Sequence, residues 1–234
     1  MNVNRGVRGK GRSQARSRAG SPAGAGVKPD AAGIVESLRS RTNAERAEAT
    51  RGVLIEVARR LFGERGYAAV STEEIARTAT VTRGALYHHF RGKKDLFKAV
   101  YEEIERKNVE QIAAVAASER DPWQQQLVAV GAFLDACQEP YVQQITLVDA
   151  PSVLGWEEWR EVEERHGLGL VQAGLQLLIE AGVIEKQPVE PLAHLMLGAL
   201  MEAGMVIARA EDPDRARKEV GAAVERLLEG LRVS

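Results

Sequence analysis

Residues 71–94, STEEIARTATVTRGALYHHFRGKK, leave the chain little choice of local structure. Ser71 followed by Glu74 is a capping-box pattern, in which two side chains satisfy amide protons that a helix start leaves free. A helix is predicted over 72–79, with Ile75, Ala76 and Ala79 facing inward. Thr80-Val81-Thr82 makes a turn, and Thr82 suits the cap of a second helix over 83–89. Leu86 and Phe90, four apart, are that helix's only large apolar residues and share one face. The opposite face carries Gly84, Ala85 and His88, flanked by Arg83 and Tyr87. So short and polar a helix is built for presentation to a partner. Small residues admit close backbone approach, Ala touches a thymine methyl, Arg pairs with guanine, and Tyr and His reach phosphates. The DNA major groove is the partner such a face suits.

Arg91, Lys93 and Lys94 come next, at the start of a helix predicted over 93–117. Cations oppose the dipole at a helix N-terminus, so a phosphate partner is the better reason for the cluster. Leu96, Phe97, Val100, Ile104, Val109 and Ile112 mark the inward stripe of this helix, a rod of ~37 Å that would connect the head to a second body. Upstream, Leu54, Val57, Ala58 and Leu61 give a helix over 43–64 that Gly66 ends in a left-handed cap, with Tyr67 packing beneath. Downstream, helices are predicted at about 122–137, 140–149, 156–181, 189–208 and 213–231. Pro140, Pro151, Gly155, Gly182, Pro188 and Asp212-Pro213 act as breakers. No strand pattern or internal repeat occurs, so the fold class is all-α.

Charge is split along the 234 residues although the net charge is −1. Residues 1–29 carry +7, residues 30–117 carry +2 and residues 118–234 carry −10. One part suits a polyanion and the other does not. Residues 1–40, rich in Gly, Ser, Ala and Arg, are expected to be disordered, apart from a helical turn at Ile34, Val35 and Leu38. The basic tail is either a solvated extension or an arm lying on phosphates or in a minor groove. The single cysteine, Cys137, excludes an internal disulfide framework; it reads as a small buried thiol, with redox sensing the alternative. No run of about 18 apolar residues is present, and no apolar run follows the basic N-terminus. No membrane span, no secretory signal and a cytoplasmic location are therefore expected. The four histidines, His88, His89, His166 and His194, belong to no HExxH pattern, and CxxC, GxSxG and phosphate-loop motifs are absent. The run EEWREVEE at 157–164 reads as a solvated helix face. No catalytic residue, metal site or cofactor is expected.

LFGERGY at 61–67 followed by T-x-x-x-I-A, V-x-x-G-x-L-Y-x-H-F and K-x-x-L resembles the TetR (tetracycline-repressor-like) family of transcriptional regulators, over about residues 43–108. The resemblance implies DNA contacts from Thr72, Arg83, Ala85, Tyr87, His88, His89 and Lys93. Arg83, Gly84 and Ala85 would face bases, while Tyr87, His89 and Lys93 would hold phosphates; Thr82 and Lys94 flank them as further candidates. Glycine at 84 cannot read a base, which leaves direct readout to Arg83 and Ala85. The organisation implied is a basic tail at 1–40, a helix-turn-helix head at 41–92, a connecting helix at 93–117 and an effector-binding and dimerisation domain at 118–234.

In that last domain Phe133, Tyr141, Trp156, Trp159, His166 and Met196 are the candidate effector-binding residues. Its last two helices are expected to form the dimer. Leu192, Leu195, Met196, Ala199, Leu200 and Ala203 lie on one, the Val220–Leu231 stripe on the other, and Gly198 and Gly204 permit close approach. The expected function is a sequence-specific, homodimeric DNA-binding regulator, a repressor released from a near-palindromic operator by a small hydrophobic effector. The alternative is a non-specific nucleic-acid binder driven by the basic tail.

Overall fold

Helix-period apolar stripes separated by capped breaks give a chain of helices, and the computed structural model has no strand among the residues it describes, 31–233, with side chains from 42 onward. The first 30 residues, and with them most of the predicted disorder, lie outside that range.

The first helix, α1, runs Ala31–Arg65, beginning twelve residues ahead of the expected 43, so that 31–40 is helical. From Leu54 onward its inward side is packed, with Leu54, Ala58, Leu61 and Phe62 buried. It stops at Gly66, whose φ of +75° only glycine adopts without strain and whose N–H donates to Phe62 O at 2.8 Å. The next two helices, α2 (Thr72–Thr78) and α3 (Arg83–His89), close the head. Ser71 Oγ accepts from Glu74 N at 3.1 Å, but the Glu74 carboxylate pairs with Arg65 at 2.6 Å instead of returning the cap. Thr82 Oγ1 accepts from Ala85 N at 3.1 Å and starts α3 as predicted.

The connecting helix α4, Lys93–Ala116, is a rod of ~36 Å. Beyond it lie α5 (Pro122–Ala136), α6 (Pro140–Val142) and α7 (Ala150–Leu154), with a π-helical stretch Gln143–Asp149 joining α6 to α7. Pro151 does not break this segment. It sits in the first turn of α7, where a missing N–H costs nothing, and the stop comes at Gly155, φ +83°. Next are α8 (Trp156–Glu163), a second π stretch (Glu164–Leu168), α9 (Gly169–Glu180), α10 (Val189–Ala208) and α11 (Pro213–Glu229).

Two hydrophobic cores result. The first joins the head to the far side of α4: Leu54, Phe62, Leu86 and Phe97 pack with Ile145, Ala150 and Val162. The second joins α5, α9, α10 and α11 through Leu134, Leu178, Met196 and Leu228. By length and composition α10 could cross a bilayer; here its inward side is part of that second core.

Candidate functional site

On α3 the residues predicted to serve as anchors and those predicted to be presented separate as expected. Leu86 and Phe90 are buried, while Thr82, Arg83, Gly84, Tyr87 and His88 are exposed; Ala85 and His89 are half-buried. Arg83 is held in place by a 3.3 Å contact to Glu73, and its guanidinium stands 5.4 Å from the Tyr87 ring centre. The Tyr87 hydroxyl lies 3.3 Å from Thr72 Oγ1, and that hydrogen bond, followed by one to Arg83, pulls the phenol below its usual pKa. Thr72 is itself buried, so it positions Tyr87 more than it offers a free hydroxyl. Gly84 faces open space, with Thr82 Oγ1, 3.9 Å from where a Cβ would stand, its nearest neighbour.

The two lysines diverge. Lys93 stands 4.1 Å over the Tyr67 ring, and burial lowers its pKa. Lys94 Nζ is taken up by Glu158 Oε1 at 2.8 Å and Leu154 O at 3.3 Å. The expected phosphate contact at Lys94 thus meets a different geometry. One residue farther along α4, its side chain points back toward α7 and α8.

Behind the head, between the two cores, lies a cavity of about 280 Å3. Of the predicted effector residues, Phe133 and Met196 line it; Tyr141, Trp156, Trp159 and His166 do not. Tyr141 packs under Arg59, 4.9 Å from the guanidinium, and Trp159 joins the first core. Trp156 is 69% exposed, and His166 is half-buried in the second π stretch. For the two tryptophans the cause is that α8 lies along the head-proximal half of α4 and reaches the cavity only at its end, through Glu163.

The polar groups that do line the cavity were not anticipated. They include Glu105, Thr146 and Glu163, the last only 2% exposed. Glu163 is the exception among the glutamates of the run, because it follows Trp159 and Val162 onto the inward side of α8. Tyr101 donates its hydroxyl to Glu163 Oε1. Burial pushes the Glu163 carboxyl up to about 7 against the pull of Tyr101 and Arg160. Burial, reinforced by Glu163, raises Glu105 well above the usual carboxylate range. Thr146 faces Glu105, yet neither Thr146 Oγ1 nor Glu105 Oε1 completes a hydrogen bond of normal geometry. Burial likewise pushes the Cys137 thiol to about 12, so it is an inert lining group. A signal existed: Tyr101, Glu105, Asn108 and Ile112 recur at helical spacing, placing two polar residues on an inward stripe.

Comparison with known proteins agrees with this arrangement. The family model for bacterial regulatory proteins of the TetR family matches residues 54–100, and that for a tetracyclin repressor-like C-terminal domain matches 123–231. The Transposon Tn10 TetC protein of Escherichia coli is 30% identical over 160 residues, 67% of this chain and 79% of its own length. The chain belongs to the TetR family. A crystal structure of a TetR-family transcriptional regulator from Pectobacterium atrosepticum superposes with a TM-score of 0.73 at 38% identity, over 81% of this chain and 97% of its own. The HTH-type transcriptional regulator AcrR of Shigella flexneri is 44% identical over 63 residues, 27% of this chain and 29% of its own. The last two are named as transcriptional regulators, and this TetR-family chain is a sequence-specific DNA-binding transcriptional regulator.

Head and cavity are in direct contact. Asp149 Oδ2 accepts from Tyr67 N at 2.7 Å, and Gln144 Nε2 lies 3.1 Å from where a Cβ on Gly66 would stand. Both partners belong to the π stretch that carries the lining residues Thr146 and Leu147. At Gly63 the head approaches α6 so closely that a Cβ would stand 2.8 Å from Tyr141 Cβ.

Proposed function

We propose that the chain is a homodimeric repressor that leaves a near-palindromic operator when a small apolar molecule fills the cavity. Arg83, Gly84 and Ala85 face base edges. Tyr87, His88, His89 and Lys93 hold phosphates with Thr82, while Thr72 positions Tyr87. The observation that carries this reading is α3 itself, with Leu86 and Phe90 buried and Arg83, Gly84, Tyr87 and His88 left in solvent. Phosphates take up Lys93, whereas Lys94 ties α4 to α8.

The dimer brings two α3 helices to successive major grooves, ~34–36 Å apart. The apolar groups left for a partner are Leu195, 73% exposed, Gly198, Ala199 and Val206 on α10, and Leu227, 58% exposed, on α11. Much of the predicted interface is spent elsewhere. Met196, Leu200, Ala203, Val224 and Leu228 fill the chain's own second core, and Gly204 makes room for Cys137 Sγ, which lies 3.0 Å from where a Cβ on that glycine would stand.

An effector acts through its unequal affinity for the operator-competent and released states. The path offered to it is short, from Thr146 and Leu147 in the cavity wall to Asp149, which accepts the Tyr67 amide of the head. Salt-dependent gel shifts on the DNA upstream of the chain's own gene test the reading. Arg83→Ala and Tyr87→Ala are expected to abolish specific shifts. Retention of both shifts, with loss only on deleting residues 1–40, would show non-specific binding through the basic tail instead.

A further inference from the structure

The cavity wall is unbalanced in charge. Its lining contains two carboxyl groups, Glu105 and Glu163, and no lysine, arginine or histidine. Glu163 has a protein partner in the Tyr101 hydroxyl. Glu105 Oε1 is buried without one. An independent group repeats the pattern: Thr146, 4% exposed and on a different element, also leaves its Oγ1 unpartnered. The Thr146 hydroxyl is turned toward Glu105, but no cation lines the cavity, so ionising the buried Glu105 carboxyl there is costly. The rest of the wall is largely apolar, including Ile112, Val130, Phe133, Leu170, Leu197 and Leu200.

We infer that the effector is a compact apolar molecule carrying one protonated, N–H-donating nitrogen, with its ammonium head at Glu105 and Thr146 and its body along the apolar wall. This rests on the reading of the cavity as the effector site. Other ligand classes fit less well. An anionic head would become a third negative group beside two carboxyls. A pure hydrocarbon would offer Glu105 and Thr146 no hydrogen bond. A quaternary ammonium has no N–H to give and is best held by several rings, whereas Phe133 is the one aromatic residue in the wall.

Binding has a proton balance. The groups facing Glu105 are Glu163 from α8 and Tyr101 from its own helix, with Thr146 from the π stretch and the Cys137 thiol nearby; Arg160 acts on Glu163 from α8. None of these is a cation at Glu105 itself, so burial and the neighbouring Glu163 favour the protonated form of its carboxyl. When an ammonium arrives, Glu105 ionises, its proton passes to buffer, and the charge-assisted hydrogen bond forms.

Isothermal titration of the full-length chain with octylamine, octanol, octanoate and octyltrimethylammonium tests this. Octylamine is expected to bind about ten-fold or more tightly than octanol and octyltrimethylammonium, with octanoate weakest. Its heat should vary with the buffer's ionisation enthalpy, corresponding to release of about one proton. Glu105→Gln should shrink the amine-over-alcohol ratio to about two-fold or less. Ala129→Phe, which fills the cavity, should abolish binding of all four probes. Circular dichroism establishes that both variants fold. Equal affinity for amine and alcohol, or a preference that survives Glu105→Gln, overturns the ammonium assignment while the cavity remains the effector site. Absence of binding by every probe, or binding that survives Ala129→Phe, overturns the assignment together with the effector reading.

Discussion

Gly84 sits in a seven-residue helix and touches almost nothing of its own chain. Alanine is the better helix former by up to ~1 kcal/mol, so the glycine does not serve the fold. Gly84→Ala is expected to raise the unfolding free energy, read from urea denaturation, by that order and to weaken operator binding, since the added methyl stands between α3 and the bases. A variant more stable and equally tight would remove the case for close backbone approach. Lys93 and Lys94 separate in a salt titration. Lys93→Ala should lower the slope of log affinity against log salt by ~1, whereas Lys94→Ala, already paired with Glu158, should leave it nearly unchanged. Glu163 predicts a pH trend. Its carboxyl is ordinary in the unfolded chain, near 4.5, and stands at about 7 when folded. Between those values the native state holds a proton the unfolded state has lost, so stability falls as pH rises through the window and levels off above it. Glu105, facing it, works in the same direction, while Tyr101 and Arg160 oppose it. Melting temperatures measured across that range should decline, and Glu163→Gln should flatten the decline.

Among the elements, the π stretch Gln143–Asp149 holds a position no ordinary loop has. Thr146 and Leu147 look into the cavity, and Asp149 accepts the Tyr67 amide in the head. An α-helix there would turn those side chains out of phase; the wider π turn lets one short segment serve both. Asp149→Ala leaves the half-buried Tyr67 N–H without its partner, at a cost of about 1–3 kcal/mol. The expected phenotype is uncoupling: a cavity ligand still binds by calorimetry, but operator affinity no longer responds to it. A full response in Asp149→Ala would direct attention to the Lys94–Glu158 contact as the transmitting link.

Along the sequence a basic N-terminal part precedes an acidic C-terminal part, so a polyanion is attracted to the first and repelled by the second. Leu195 and Val206 on α10 and Leu227 on α11 are among the large apolar residues that remain in solvent. Leu195→Asp and Leu227→Asp together are expected to give a monomer in analytical ultracentrifugation and to lose cooperative operator binding, while each folded chain keeps its helical content. A dimer that persists would place the interface on another face.

What residues 71–94 specify is local. Caps at Ser71 and Thr82, an apolar pair four apart and small residues opposite are satisfied within one or two turns, so α2, α3 and the presented face were readable before any packing was known. Downstream, the starts at Pro122, Pro140 and Pro213 and the stops at Gly155 and Gly182 were readable for the same reason, while Pro151 and the two π stretches were not. The cavity was not readable in that way. Trp156 and Trp159 have the composition of a binding site, yet α8 packs against the upper half of α4 and carries them elsewhere. Glu163 looked solvated among its acidic neighbours, and only the register of α8 against Tyr101 turned it inward. Which of two apolar faces meets the chain's own core, as for Met196 and Leu228, and which waits for a partner, as for Leu195 and Leu227, depends on how helices distant in sequence are stacked. Hydrophobic periodicity states that a face must be covered, and only the tertiary structure decides what covers it.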